Sequence, residues 1–392
     1  MTAAEPSWEA ATVGIALVAT MAAYALFAGA DFGGGIWDLA AGSSPAGRRA
    51  RDAIDASVTP VWEGNQVWIV LGLVLLWTGF PSAFAAITIT LFVPLAVSVL
   101  GLVLRGVGFA FRHEAIHSGS KWLTGALFAC SSLLAPFFLG TAVGAVTTGR
   151  IPVHSRGLST AAWTTPTALV TGALFVAACA FIGAVYLVGD AHRRGHRDLV
   201  PYFGHRAILG GLVTGVLAGV NLALLHGSAP YVFGRLTGVA LPLVIVSVLA
   251  GGAAVTLILL QRQWLLRIFG ALSVVAVVAA WGLAQYPWLF PTRLGLAAAA
   301  APDASLLAEI VVIGLAAVLV VPSFAFLYWL QQHGRLEHDS ASAQLRQAAR
   351  AQNRTAATTV ATPAPATRPQ RLLAAGVIAL AAIKIMRKRR RY

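Results

Sequence analysis

Nine stretches of this chain are each long and apolar enough to cross a lipid bilayer. They lie near residues 10–30, 57–79, 81–104, 122–146, 164–188, 206–226, 236–260, 266–286 and 306–330. A hydrocarbon core about 30 Å thick needs roughly 20 apolar residues of helix to span it. Lipid offers backbone N–H and C=O groups no partner, so only helices and closed barrels are stable there. None of the nine runs alternates polar and apolar residues with period two, which argues against a barrel. The expected fold is an all-α polytopic membrane protein with about nine transmembrane helices. Charged residues, only 11% of the chain, agree with this, because soluble domains carry roughly 25%.

The basic residues set an expected topology. With the N-terminus outside, 24 of the 28 Lys and Arg residues fall on inward-facing segments, 12 of them in the tail after residue 330. Without the tail the split is still 12 to 4. The positive-inside rule therefore predicts an external N-terminus and a cytoplasmic C-terminal tail. A net charge of +14 concentrated beside membrane spans suits anionic lipid rather than nucleic acid,. The opening "MTAAEPSWEAATVG" has no basic residue, so the first run is expected to be a retained span rather than a cleaved signal. Cys130 and Cys179 sit inside apolar runs, as packing residues do,.

Three parts are expected along the chain: a helical membrane domain over 1–333, a flexible cytoplasmic linker over 334–371 rich in Ala, Gln, Thr and Pro, and a short apolar and basic helix over 372–392,. The last is too short to span easily and would carry "RKRRRY" outward. It suits an interfacial anchor or a partner-binding helix.

Few acids lie at membrane depth. Asp31 ends the first span, Glu63 lies in the second, and Glu309 sits near the outer end of the ninth. A charge at mid-bilayer costs about 2.5–3.5 kcal/mol on insertion scales, which makes such an acid a functional candidate. Asp52, Asp55, Thr59, Glu63 and Gln66 are spaced by three or four residues and would share one face of a continuous helix,. That stripe would run from the cytoplasmic end to Glu63, roughly 12 Å deep at 1.5 Å per residue, as a proton entry path requires. Pro60 opposes a continuous helix there,. The plainer alternative is that these polar groups only bond neighbouring helices.

The run "GADFGGGIWDL" at Gly29–Leu39 lacks the Lys and Ser/Thr of a phosphate loop,. Gly29 and Gly33, with Gly34 one residue on, instead place small residues one turn apart, which permits close helix packing. The nine histidines all fall in loops or at helix ends. No pair of His or Met faces another at depth, so a buried heme ligated by this chain is not expected. His113/His117 and His192/His196 have i,i+4 spacing, but in basic loops they read as solvated residues, and no metal site is assigned. The residues alone leave proton supply and proton-coupled secondary transport both open.

Three motifs narrow the choice. "GADFGGGIWDL", "PVWEGNQVWIV" at Pro60–Val70 and "LRGVGFAFR" at Leu104–Arg112 resemble subunit II of the cytochrome bd-type quinol oxidases. The resemblance covers 10–330 in architecture and about 25–115 in motif. It implies two four-helix bundles plus one peripheral helix, in a bacterial cytoplasmic membrane. It also implies a heme-free subunit that supports a heme-bearing subunit I and helps bring cytoplasmic protons to oxygen reduction. Heme b, heme d and quinol oxidation would belong to that partner. A small single-helix subunit and membrane lipids complete the implied partners. Glu63 matches the acid of the family's Trp-Asp/Glu-x-Asn-x-Val-Trp motif, to which the proton path is assigned. Trp62, Asn65, Gln66 and Trp68 complete that motif. Asp31 matches the acid of the helix-1 motif, and Asp55 lies on the stripe leading inward. Arg105 and Arg112 match basic residues near the end of the third span. Many family members carry a second acid where this chain has Ala28, which leaves Asp31 as the supporting group and Glu63 as the stronger candidate.

Overall fold

The structure, a computed structural model, describes residues 4–42, 44–58, 62–112, 121–154, 157–262 and 264–332; within these, the side chains at 63, 109–112, 121–127, 129, 328 and 331–332 are not described. Two units are distinguished, Met1–Leu327 and Tyr328–Tyr392. The described part of the second is only the end of the last helix, so the expected linker and terminal helix lie outside the described residues.

The first unit is helical. The first helix, α1 (Trp8–Leu39), starts where the Ser7 hydroxyl accepts from Ala10 N–H at 3.3 Å, with Glu9 in its first turn,. A separate amphipathic helix, α2 (Pro45–Val58), follows. The short α3 (Trp62–Asn65) leads into α4 (Val67–Gly79), then α5 (Pro81–Thr90) and α6 (Phe92–Arg112). Next come α7 (Lys121–Thr147), α8 (Thr160–Trp163), α9 (Pro166–Arg193) and α10 (Leu199–Ser228). The order continues through α11 (Pro230–Leu236), α12 (Leu241–Leu259) and α13 (Leu266–Gln285). A small antiparallel pair, β1 (Trp288–Phe290) with β2 (Leu294–Gly295), precedes α14 (Leu296–Ala299) and α15 (Asp303–Gln332).

Seven helices among the described residues are long and apolar enough to span a membrane, or eight if the bent pair α4–α5 counts as one. The second and third apolar runs account for the difference from the expected nine. The second breaks at Gln66, between the short α3 and α4, and prolines explain the bend between the two runs and the break within the third. Pro81 excludes the helical conformation at the residue before it, and Phe80 accordingly takes φ −136°, ψ 63°. The chain bends by 117° there. Pro94 has no N–H for the Thr90 carbonyl four residues earlier. Ser159 N–H fills that vacancy at 3.3 Å, and the helix breaks at Leu91.

The stripe from Asp52 to Gln66 is likewise divided. Its ends lie on α2 and at the α3–α4 junction, and residues 59–61, Pro60 included, fall outside the described ones. A single polar face running the length of one helix is therefore not what the described residues form.

At the centre, α1 packs against α4, α7, α9 and α13, and α9 packs in turn against α7 and α10. Gly33 of α1 and Gly183 of α9 meet at this crossing. A Cβ on Gly33 would lie 2.9 Å from the Gly183 Cα and closer still to the Cys179 carbonyl. Only hydrogen at both positions lets the two backbones approach this far. The core built around this contact includes Ala25, Ala180, Ile182, Ala184, Val185 and Val188. By contrast the Asp303–Leu327 part of α15 buries none of its most apolar window.

Candidate functional site

A polar cluster interrupts this apolar centre near the C-terminal half of α1. Asp31 is only 3% exposed. Its carboxylate oxygen Oδ2 accepts from the Asn65 amide Nδ2 at 2.7 Å. The same Asn65 nitrogen donates to the Phe27 carbonyl at 3.3 Å, so one side-chain amide fastens α3 to α1. The break at Gln66 makes this possible. Gln66 adopts φ −77°, ψ −14° as the residue before α4, and the short α3 turns Asn65 onto α1.

Arg105 of α6 closes the other side. It is 1% exposed and is the largest of the fully buried side chains. Its Nη2 donates to the Asp31 backbone carbonyl at 2.6 Å, and its Nη1 donates to the Ser132 hydroxyl at 2.5 Å. Ser132 passes its own hydrogen to the Phe128 carbonyl at 2.7 Å, one turn back on α7. The guanidinium carbon lies 5.1 Å from the Phe32 ring centre and 4.6 Å from that of Phe128. Ring faces attract a cation, and more so away from water, by about 2 kcal/mol. Two planar donors and two aromatic faces are what a buried guanidinium needs and what a lysine could not use. Gly35 admits the arrangement, since a Cβ there would sit 2.7 Å from Ser132 Cβ and 3.1 Å from Arg105 Nη1.

The remaining motif residues surround this cluster. Trp68 stacks on Phe27 at 6.0 Å and tilts against Phe324 at 5.4 Å. Trp62 packs on the central core, and its ring lies beneath Gly106. Gln66 is half-buried. Asp55 is half-buried on α2, a helix that is not itself a candidate span. Glu63 belongs to α3 and Arg112 ends α6, and both side chains lie outside the described ones. Of the three glycines, Gly33 makes the α1–α9 crossing. Gly34 faces α2, with Val58 Cγ2 2.9 Å from the position of an added Cβ, and Gly29 has ordinary room beside Cys179 Sγ at 3.6 Å. Glu309 is 8% exposed and pairs with the Thr78 hydroxyl near the end of α4, apart from the Asp31 cluster.

Sequence reasoning missed Ser132, Phe32 and Phe128, and the room that Gly35 leaves for Ser132 and Arg105. The pair Ser131–Ser132 inside an apolar run was the one available signal; the two rings look like any other core residues. Among the described residues no three His, Cys, Asp or Glu side chains gather as a metal site would require.

The matched region includes every residue of this cluster. The model of the cytochrome bd terminal oxidase subunit II family fits residues 10–331. This chain belongs to that family. Subunit 2 of the cytochrome bd ubiquinol oxidase of Bacillus subtilis (strain 168) is 31% identical over 114 residues, 29% of this chain and 32% of the relative. Subunit 2 of the cytochrome bd-I ubiquinol oxidase of Escherichia coli (strain K12) is 27% identical over 195 residues, 46% of this chain and 49% of the relative. The aligned parts thus span a third to a half of these relatives. A chain in the bd oxidase structure from Geobacillus thermodenitrificans superposes with a TM-score of 0.63 at 21% identity, covering 81% of this chain and 97% of that one. That likeness establishes a shared fold.

Proposed function

We propose that this chain is the heme-free subunit of a quinol:oxygen oxidoreductase in a bacterial cytoplasmic membrane. It supports a heme-bearing subunit I and helps deliver cytoplasmic protons to it. In this arrangement nine spans form two four-helix bundles and a peripheral helix, with the N-terminus outside and the tail in the cytoplasm. The observation that carries the reading is the buried pair Asp31–Asn65, held in a membrane span within the family-matched region. An acid kept this far from water, with a neutral amide as its side-chain partner, is placed to exchange a proton rather than to fix an ion pair.

The described side chains support this division of labour. All five described histidines, His154, His192, His196, His205 and His226, are exposed. Met21 alone of the methionines lies in a described span. Among the described residues buried heme ligation finds no pair of axial donors. Hemes b and d bound in the partner would carry electrons from quinol to oxygen. This chain's contribution is proton handling: Glu63 takes up a proton from the cytoplasmic side, Asp55 lies on the approach, and Asp31 holds the next position. Asn65 orients the Asp31 carboxyl, and Arg105 fixes the backbone that carries it.

The test uses the assembled oxidase. The chain should co-purify with a subunit showing heme redox difference bands, and deletion should abolish the associated quinol-dependent oxygen uptake. Glu63→Gln and Asp31→Asn should retain heme content while turnover falls by about 10²-fold, the usual weight of a positioned proton carrier. Unchanged turnover in both variants would falsify the proton-supply role.

A further inference from the structure

The Asp31–Asn65 pair is not the end of the polar interior. Tyr24 precedes Asp31 by seven residues on α1, which brings the two side chains to within about 20° of the same helix face. Ala28, between them, is fully buried and adds only a methyl group. Tyr24 itself is 7% exposed, and its ring meets that of Phe32 edge-on at 6.3 Å. It belongs to the buried cluster that includes Ala135 and Cys179. Its hydroxyl is buried and has no hydrogen-bond partner among the described residues.

Two other buried atoms, on residues that follow Asn65 in sequence, are in the same condition. Gln66 directly follows Asn65 and Trp68 comes three residues after it, and Gln66 Oε1 and Trp68 Nε1 both lack a partner among the described residues. Buried polar atoms nearly always find a partner in protein or ordered water. Three such atoms, one on α1 and two on the segment that follows Asn65, point to bound water, which characteristically bridges groups of this kind.

We propose that Tyr24 is a relay residue. With bound water, its hydroxyl carries protons onward from Asp31 along α1, toward the middle of the bundle. This rests on the proton-supply reading above. Asp31 releases a proton to a water on its side. The Tyr24 oxygen accepts one proton from that water as its own hydrogen passes to a water beyond. One O–H bond forms at Tyr24 for each that breaks, so the ring carries no lasting charge. Rotation of the hydroxyl then resets it, and Asp31 regains its proton from the Glu63 side.

Tyr24→Phe tests this in the assembled oxidase. The substitution removes one oxygen and no protein hydrogen bond, so assembly and heme content should be those of the wild type. Turnover should fall severalfold, the solvent deuterium isotope effect should rise, and the KM for quinol should stay unchanged. Normal turnover and isotope effect in Tyr24→Phe, with Asp31→Asn and Glu63→Gln both slow, overturns the relay alone. Normal turnover in all three removes the proton-supply reading and the relay with it. Loss of heme or of assembly in Tyr24→Phe assigns the hydroxyl to structure and also overturns the relay.

Discussion

A guanidinium that is 1% exposed inside a membrane domain must be held by more than one kind of contact. Arg105 has the Asp31 carbonyl, the Ser132 hydroxyl and two phenylalanine faces. Lysine would keep the charge but not the fork, and a lost hydrogen bond to a charged group costs about 1.5–3 kcal/mol. Arg105→Lys should therefore lower the thermal unfolding midpoint of the purified complex, and Ser132→Ala should lower it less, by about 1 kcal/mol equivalent. A wild-type midpoint for Arg105→Lys would show that the planar donors carry no weight. At this scale Asp31, Asn65 and Arg105 were legible as polar residues in or beside apolar runs. Phe32 and Phe128 were not, because an aromatic ring in an apolar span has no sequence mark that separates a cation's neighbour from lipid-facing packing.

At the scale of elements, glycines and prolines decide where helices touch and where they stop. Gly33 and Gly29 lie one turn apart on α1 yet differ sharply in clearance. An added methyl at Gly33 would meet the α9 backbone at Gly183 within 2.9 Å, whereas at Gly29 it would make ordinary contact at 3.6 Å. Backbone cannot yield as a side chain can, so Gly33→Ala should destabilise by about 1–3 kcal/mol or more. Gly29→Ala should be close to neutral. Size-exclusion profiles and unfolding midpoints of the two variants make the comparison, and equal behaviour would refute close packing at Gly33. The sequence pattern placed both glycines on a packing face without ranking them, because the partner helix lies about 150 residues away. Hydropathy likewise located the second and third runs but not their breaks. Whether Pro94 interrupts its helix depends on another donor reaching the Thr90 carbonyl, and that donor, Ser159, is remote in sequence.

For the whole molecule, sidedness fixes from which compartment protons arrive. The α9–α10 connection around Gly195 is ringed by Arg193, Arg194 and Arg197. Arg49 and Asp198 join α2 to this connection at 2.6 Å. The longer segment between α7 and α8 carries two arginines, Arg150 and Arg156. In a background lacking native cysteines, Gly157→Cys should react with a membrane-impermeant maleimide in intact cells. Gly195→Cys should react only after the membrane is opened. The reverse pattern would invert the topology and place Asp31 on the outer half of the bilayer.

The sequence by itself determined that this chain is a helical membrane protein, which runs are apolar enough to span, how its basic charge is distributed and which family its motifs resemble. These are local quantities, summed over a window or matched along a short segment. Tertiary structure alone decided that the acid of α1 meets the amide of α3, 34 residues away, and that its backbone meets an arginine 74 residues away. It also decided that the glycine run beginning at Gly33 serves three neighbours at once, α9, α2 and the Arg105–Ser132 contact. Such convergence depends on how far each helix can approach the next, which is set by the shapes of both surfaces and by where each helix breaks. Neither is carried by any one stretch of sequence.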